Sequence, residues 1–274
     1  MTTAEIFAPA KINLTLHVTG RRDDGYHLLD SLVAFASIGD RLRMTPGAGL
    51  SLEVTGLFAG GVPTDARNLV WQAAEGAGWQ GHIDLDKRLP HGAGIGGGSS
   101  DAAALLRAMI DEGAAIPEAL PLSLGADVPV CLAARASRMR GIGEEITACA
   151  VPKLPALLVN PGVAVPTGAV FSSLGTADNA AMPESLPAFR SPEDCAQWLR
   201  TQRNDLEPPA IKVAPQIARV LSDLRGTRDV LMARMSGSGS TCFALYPSLK
   251  AAHFAAYEIG TAQPDWWCVA TELT

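Results

Sequence analysis

The sequence predicts an α+β protein built as two lobes, residues 1–150 and 151–274. Three observations predict it. A chain of 274 residues exceeds what a single core usually fills. Strand-like alternation and helical spacing both occur along it, and the pattern changes character after Ala150.

In the first lobe, Ile12 to Val18 alternates apolar and polar residues and Leu28 to Ile38 is a second apolar-rich run. The turn formers Gly20 to Gly25 lie between them, so the two read as paired strands. Leu50 to Val54 continues the strand pattern, Asn68 to Ala77 reads as a helix, and His82 to Lys87 as a strand with one wet face. A glycine run from Gly92 to Gly98 precedes apolar residues at helical spacing from Ser99 to Ile110, which puts the glycines at a helix N-terminus. In the second lobe Leu154 to Val159 is a compact strand. The stretch from Pro161 to Pro192 has little regular pattern, and Gly175 to Pro192 within it reads as a mobile loop. Pro192 to Arg200, Ala210 to Leu224 and Ser248 to Ile259 read as helices, Thr241 to Tyr246 and Trp266 to Thr271 as strands.

Composition narrows the function. A net charge of −6 and the absence of basic runs interleaved with aromatics argue against a nucleic-acid partner. No apolar stretch is long enough to span a bilayer, so no membrane partner is expected. The opening Met1-Thr2-Thr3-Ala4-Glu5 has neither a basic nor an apolar signal region, and the chain reads as cytoplasmic. Five scattered cysteines suit reduced thiols better than a disulfide framework. The five histidines have no zinc-site spacing, so no structural zinc site is expected.

The most informative run is Pro90-His91-Gly92-Ala93-Gly94-Ile95-Gly96-Gly97-Gly98-Ser99-Ser100, followed by Asp101 and three alanines. Bare backbone amides ahead of a helix N-terminus are chemistry for phosphate. Gly92-x-Gly94-x-x-Gly97 also satisfies the dinucleotide fingerprint, but His82 to Lys87 alternates charges where that fold needs a fully buried strand. There is no Gly-Lys-Ser or Gly-Lys-Thr, so the loop is not a Walker A. A purely structural glycine loop is the third reading.

The run resembles the phosphate-binding signature of the GHMP kinases. Pro9-Ala10-Lys11-Ile12-Asn13-Leu14 near the start and Met235-Ser236-Gly237-Ser238-Gly239-Ser240 near the end resemble that family's other two motifs, in the same order. Gly20 to Leu32, Gly125-Ala126-Asp127-Val128-Pro129 and Gly141-Ile142-Gly143-Glu144 are similar to the diphosphocytidyl-methylerythritol kinases within it. The resemblance implies a ribosomal-protein-S5-domain-2-like, ATP-binding N-terminal lobe and a ferredoxin-like, substrate-binding C-terminal lobe. It implies ATP with Mg²⁺, and diphosphocytidyl-methylerythritol as the small-molecule partner.

Residue by residue, the resemblance makes Asp127 the general base and Lys11 the cation beside it. Alone, Asp127 reads as a helix cap or turn residue, and Lys11 as a strand lysine reaching to solvent. Pro90 to Ser100 would hold ATP, with Ser100 offered as a magnesium ligand. Asn13 is either a substrate contact or a strand-end cap. Tyr26 and His27, projecting from a glycine turn, would form the cytidine site with Thr167 and Phe171, the ring held between Tyr26 and Phe171. Gly237, Ser238 and Gly239 form a second close-approach loop.

Overall fold

The computed structural model describes residues 5–274. Met1 to Ala4, which carry most of the expectation about a targeting segment, lie outside the described residues. In chain order the elements are β1 (Ile6–Asn13), β2 (His17–Arg21), β3 (His27–Pro46), β4 (Leu50–Thr55), α1 (Leu69–Gly76), β5 (Gly81–Asp86), α2 (Gly97–Asp111), α3 (Leu120–Leu124) and α4 (Val128–Ala133). They continue with β6 (Ser137–Gly141), β7 (Glu145–Ala148), β8 (Leu154–Asn160), α5 (Thr167–Ser172), α6 (Pro192–Leu199), α7 (Glu207–Val213) and α8 (Gln216–Gly226). The last four are β9 (Met232–Met235), β10 (Cys242–Leu245), α9 (Leu249–Ala262) and β11 (Trp267–Leu273). Among the described residues no helix is long and apolar enough to cross a membrane.

The chain forms two compact units, each assembled from separate stretches. The first comprises the residues up to Lys11, Ile38–His91 and Gly96–Ala134. Here β5 pairs parallel with β4 and antiparallel with the C-terminal half of β3. Its burial alternates residue by residue, as the sequence predicts for a strand with one wet face. Where β3 passes β1, Gly39 has no room for a side chain, because a Cβ there would run into the Ala8 carbonyl. Helix α2 packs on α1 and α4, and Ala102 to Leu106 along it are all fully buried. Asn68 caps α1 by accepting from the Val70 amide at 2.9 Å.

The second unit comprises Ile12–Ser37, Gly92–Ile95 and Arg135–Thr274. Strands β11, β8, β10 and β9 lie side by side in that order, all antiparallel. With α8 between β8 and β9 and α9 between β10 and β11, this is the ferredoxin-like βαββαβ arrangement. Its core is Leu157, Val159, Ile217, Leu221, Leu224, Tyr246 and Ile259. The N-terminal half of β3 pairs with β2 across the expected turn and with β6.

Several boundaries differ from expectation. The strand expected at Ile12 to Val18 is split: β1 begins at Ile6, ends at Asn13, and β2 starts at His17. The single helix expected from Ala210 to Leu224 is two, because Pro215 forces Ala214 out of helical backbone, to φ −136° and ψ 88°. Residues 173–191 form no helix or strand. They are nevertheless tied down. The Asn179 amide and Nδ2 both donate to Val18 O at 3.1 Å, and Met182 N donates to Asp30 at 2.9 Å.

Candidate active site

In the first unit, the left-handed backbone of Gly96 (φ 64°) starts α2, and no side chain caps it. The first intrahelical bond runs from Ser100 N to Gly96 O at 2.8 Å. The amides of Gly97, Gly98 and Ser99 are therefore left without a partner in the helix, and these residues stay partly open to solvent. A Cβ on Gly96 would sit 3.2 Å from Lys11 Cβ. Lys11 is therefore directly beneath the helix start.

Lys11 Nζ pairs with Asp127 Oδ1 at 2.8 Å, the lysine side chain 4% and the aspartate 37% exposed. This resolves two open readings. A lysine so buried does not reach to solvent, and Asp127, although at the N-cap position of α4, makes no side-chain cap bond. Its carboxylate is spent on Lys11 and otherwise faces outward. Pro90 and Ser100 are buried, and His91 and Gly92 are exposed. Ser100 Oγ donates to Pro9 O at 2.6 Å and is fully buried, which makes it a brace between β1 and α2.

In the second unit the other two motifs interlock. Ser236 Oγ accepts from Asn13 N at 3.1 Å and donates to Gly94 O at 2.9 Å. Gly94 (φ 73°) and Gly237 (φ 55°) approach so closely that a Cβ on Gly237 would lie 2.8 Å from Gly94 O. Ala93 O accepts from Thr241 N at 3.1 Å, while Ile95 is buried. Gly239 (φ 88°) has Met235 against it. Asn13 donates Nδ2 to Ser31 at 2.8 Å, and among the described residues its buried Oδ1 has no partner. Thr167 and Ser238 share a hydroxyl hydrogen bond of 2.9 Å.

The aromatic residues divide differently from the expectation. His27 stacks on Phe171 with ring centroids 4.7 Å apart and planes 24° from parallel. Burial, then Arg21, holds His27 below the usual histidine range, so the ring is neutral at neutral pH. Tyr26 projects into solvent, 59% exposed. His27, and not Tyr26, is thus the ring that meets Phe171.

Sequence reading missed three groups. Ser236 lies inside a quoted motif and the interlock depends on it. Asn204 accepts from Leu206 N and also donates to the Met235 and Gly237 carbonyls at 2.8 and 2.9 Å, fixing the second loop. Beneath α2, buried Lys87 pairs with both Asp40 and Asp101, the latter at 2.7 Å.

Comparison with known proteins agrees with this geometry. The family description "GHMP kinases N terminal domain" matches residues 67–138, and "GHMP kinases C terminal" matches residues 185–264. The 4-diphosphocytidyl-2-C-methyl-D-erythritol kinase of Dinoroseobacter shibae is 58% identical, over 97% of this chain and 94% of its own. That of Cereibacter sphaeroides strain KD131 is 54% identical over 98% and 99%. A crystal structure of a 4-(cytidine 5'-diphospho)-2C-methyl-D-erythritol kinase, 37% identical, superposes with a TM-score of 0.75 over 98% of this chain and 99% of that one. L. major mevalonate kinase, 16% identical with a TM-score of 0.68 over 100% and 96%, shares the fold. With both family domains and near-full-length relatives in agreement, the chain belongs to the GHMP kinases, among the 4-diphosphocytidyl-2-C-methyl-D-erythritol kinases.

Proposed function

We infer that the chain transfers the γ-phosphoryl group of ATP to the 2-hydroxyl of 4-diphosphocytidyl-2-C-methyl-D-erythritol, a step of non-mevalonate isoprenoid synthesis. The observation that carries this is the Lys11–Asp127 pair beneath the open turn Gly97 to Ser99. Phosphoryl transfer asks a protein for positioning and charge stabilisation, with a base for the hydroxyl proton. The half-exposed Asp127 carboxylate accepts that proton. The Lys11 ammonium, held in place by the same carboxylate, offers positive charge to the alcohol oxygen as it becomes nucleophilic. Unclaimed amides and the positive end of α2 receive the phosphates.

Mg²⁺ bound with ATP would neutralise charge between the β- and γ-phosphates. Ser100 is a poor fit for it, its hydroxyl committed to Pro9 O and sealed from solvent. The cytidine end is assigned to His27, Phe171 and Tyr26, and a substrate hydroxyl to the orphaned Asn13 Oδ1. Thr167, Gly237, Ser238 and Gly239 complete the substrate side. Residues 1–150 are assigned chiefly to ATP and residues 151–274 chiefly to substrate, with Asn13, Tyr26 and His27 of the first stretch lent to the substrate side. Five free thiols fit a reducing cytoplasm.

Purified protein given Mg-ATP and a panel of alcohols tests the reading. ADP release should depend on the cytidylylated alcohol. Release with homoserine, mevalonate or a sugar in its place would select another activity, and no release with any would leave a nucleotide-binding protein without catalysis.

A further inference from the structure

Arg138 is 5% exposed and Asp30 is 2% exposed, yet neither touches the groups assigned to ATP or substrate. All five guanidinium N–H groups of Arg138 are used. Nε and Nη2 donate to the two oxygens of Asp30 at 2.7 Å each. The remaining bonds go to the carbonyls of Met182 at 3.2 Å, Pro183 at 2.9 Å and Glu184 at 2.8 Å. Asp30 Oδ2 returns a bond to the strap by accepting from Met182 N. A buried pair with full hydrogen bonding costs desolvation and adds little net stability compared with apolar residues of similar volume. What it supplies is a fixed position, here for residues that no helix or strand holds.

The strap has a second clasp nearer to α5. Asn179 donates twice to Val18 O, and Ala180 O accepts from Arg203 Nη2 at 2.7 Å. His17 Nδ1 donates to the same carbonyl at 3.0 Å, and its Nε2 accepts from Arg203 N at 3.3 Å, so the ring is neutral with its proton on Nδ1. Burial holds it below the usual histidine range. Between this clasp and Phe171 lie only the end of α5 and the turn at Leu174, whose amide donates to Phe171 O at 3.2 Å. At the other end, Asp30 stands on β3 three residues after His27. The clasped strap therefore connects Val18 on β2 and Asp30 on β3, within three residues of His27 along the hairpin, to the helix that carries Phe171.

We propose that Asp30 and Arg138 are positioning residues for the nucleobase end of the substrate, locking strap 176–184 so that α5 keeps Phe171 against His27. This rests on the proposed cytidine assignment, and the experiment separates the two. Arg138→Lys keeps the charge and loses the fork. It should raise KM for the cytidine substrate roughly tenfold, below the hundredfold that a 1 Å misplacement costs at a reacting centre. KM for ATP should stay within about twofold, and hydrogen exchange should quicken in 176–184 ahead of the rest of the unit. Asn179→Ala, which removes the side-chain bonds to Val18 O and Thr176 O and leaves the buried pair intact, should shift the same KM by a smaller factor. It keeps the test open if Arg138→Lys fails to fold.

A strap that exchanges faster with both KM values unchanged would overturn the proposal. So would a parallel rise in both KM values with a fall in melting temperature, which marks a merely structural pair. Phe171→Ala is the control. If it raises the cytidine KM while neither strap variant does, the positioning role falls and the cytidine assignment stands. If it leaves that KM unchanged, the assignment falls and the proposal with it.

Discussion

Asp101 makes the sharpest physical prediction in the molecule. One ammonium, Lys87, faces two carboxylates, Asp40 and Asp101, in a cluster sealed from solvent. Asp40 is well satisfied, since Oδ1 also accepts from the Arg88 and Leu89 amides at 2.6 and 2.8 Å. Asp101 bonds Lys87 through one oxygen, and among the described residues its buried Oδ1 has no partner. Burial pushes its carboxyl up, Asp40 adds to the rise, Lys87 opposes it, and the outcome is about 8. The folded pKa thus lies above that of the unfolded chain, so stability from this group is complete below the unfolded value and lost as pH rises toward about 8. One proton is involved, and the loss is up to about 1.4 kcal/mol per pH unit. Asp101→Asn fixes an uncharged amide of the same shape and removes the slope. Urea unfolding followed by tryptophan fluorescence between pH 6 and 9 gives both free energies. The difference between variant and wild type should grow in the variant's favour by about that slope up to pH 7.5 and level off above pH 8.5. His17 and His27 titrate equally in both proteins and cancel. Parallel profiles from pH 6 to 8 would refute the reasoning and mean that Asp101 is ionised throughout.

Three further outcomes are expected. Asp127→Asn should lower kcat by about 10²–10⁴ with the ATP constant little changed, since it removes a base and leaves the α2 turn intact; steady-state kinetics with each substrate checks it. Gly97→Ala should fold normally, because its Cβ would meet only Lys87 Nζ at 3.5 Å and Asp40 at 3.7 Å, yet bind ATP more weakly by calorimetry. Gly96→Ala should lose stability as well, from the left-handed backbone and the approach to Lys11. Cys131 and Cys242, fully buried and raised above the usual thiol range by that burial, should react with a thiol reagent only after unfolding, read as labelling against urea.

Much of the site was legible because its chemistry is local. The glycine run, the helix after it and the half-wet strand before it each follow from residues adjacent in sequence. What stayed hidden depends on long-range pairing. β6 carries Arg138 and Arg140 on a short strand, and Arg138 is buried by a partner 108 positions away that no local pattern reports. Lys87 and Asp40 are 47 positions apart, and nothing local to either reports the other. Tyr26 and His27 leave the same turn, and only the position of α5 decides which ring meets Phe171.

The second unit joins the chain's early residues to its last ones. Leu273 pairs with Ala36, Phe35 and Thr274 exchange both backbone bonds at 2.9 Å, and Ser37 bonds Thr271 across 234 positions. On the ribosome, the short stretch Phe35 to Ser37 of β3 is therefore made early and waits almost the whole translation time for its last partner, while β5 and β6 pair with other parts of the strand sooner. An unpaired strand edge recruits other chains, and late long-range closure slows folding. Expression of this protein should accordingly be sensitive to chaperone supply and temperature. A chain cut before Trp267 should accumulate as aggregate, because β11, which pairs with β8 from Leu154 to Asn160, is never made and leaves that edge of β8 open.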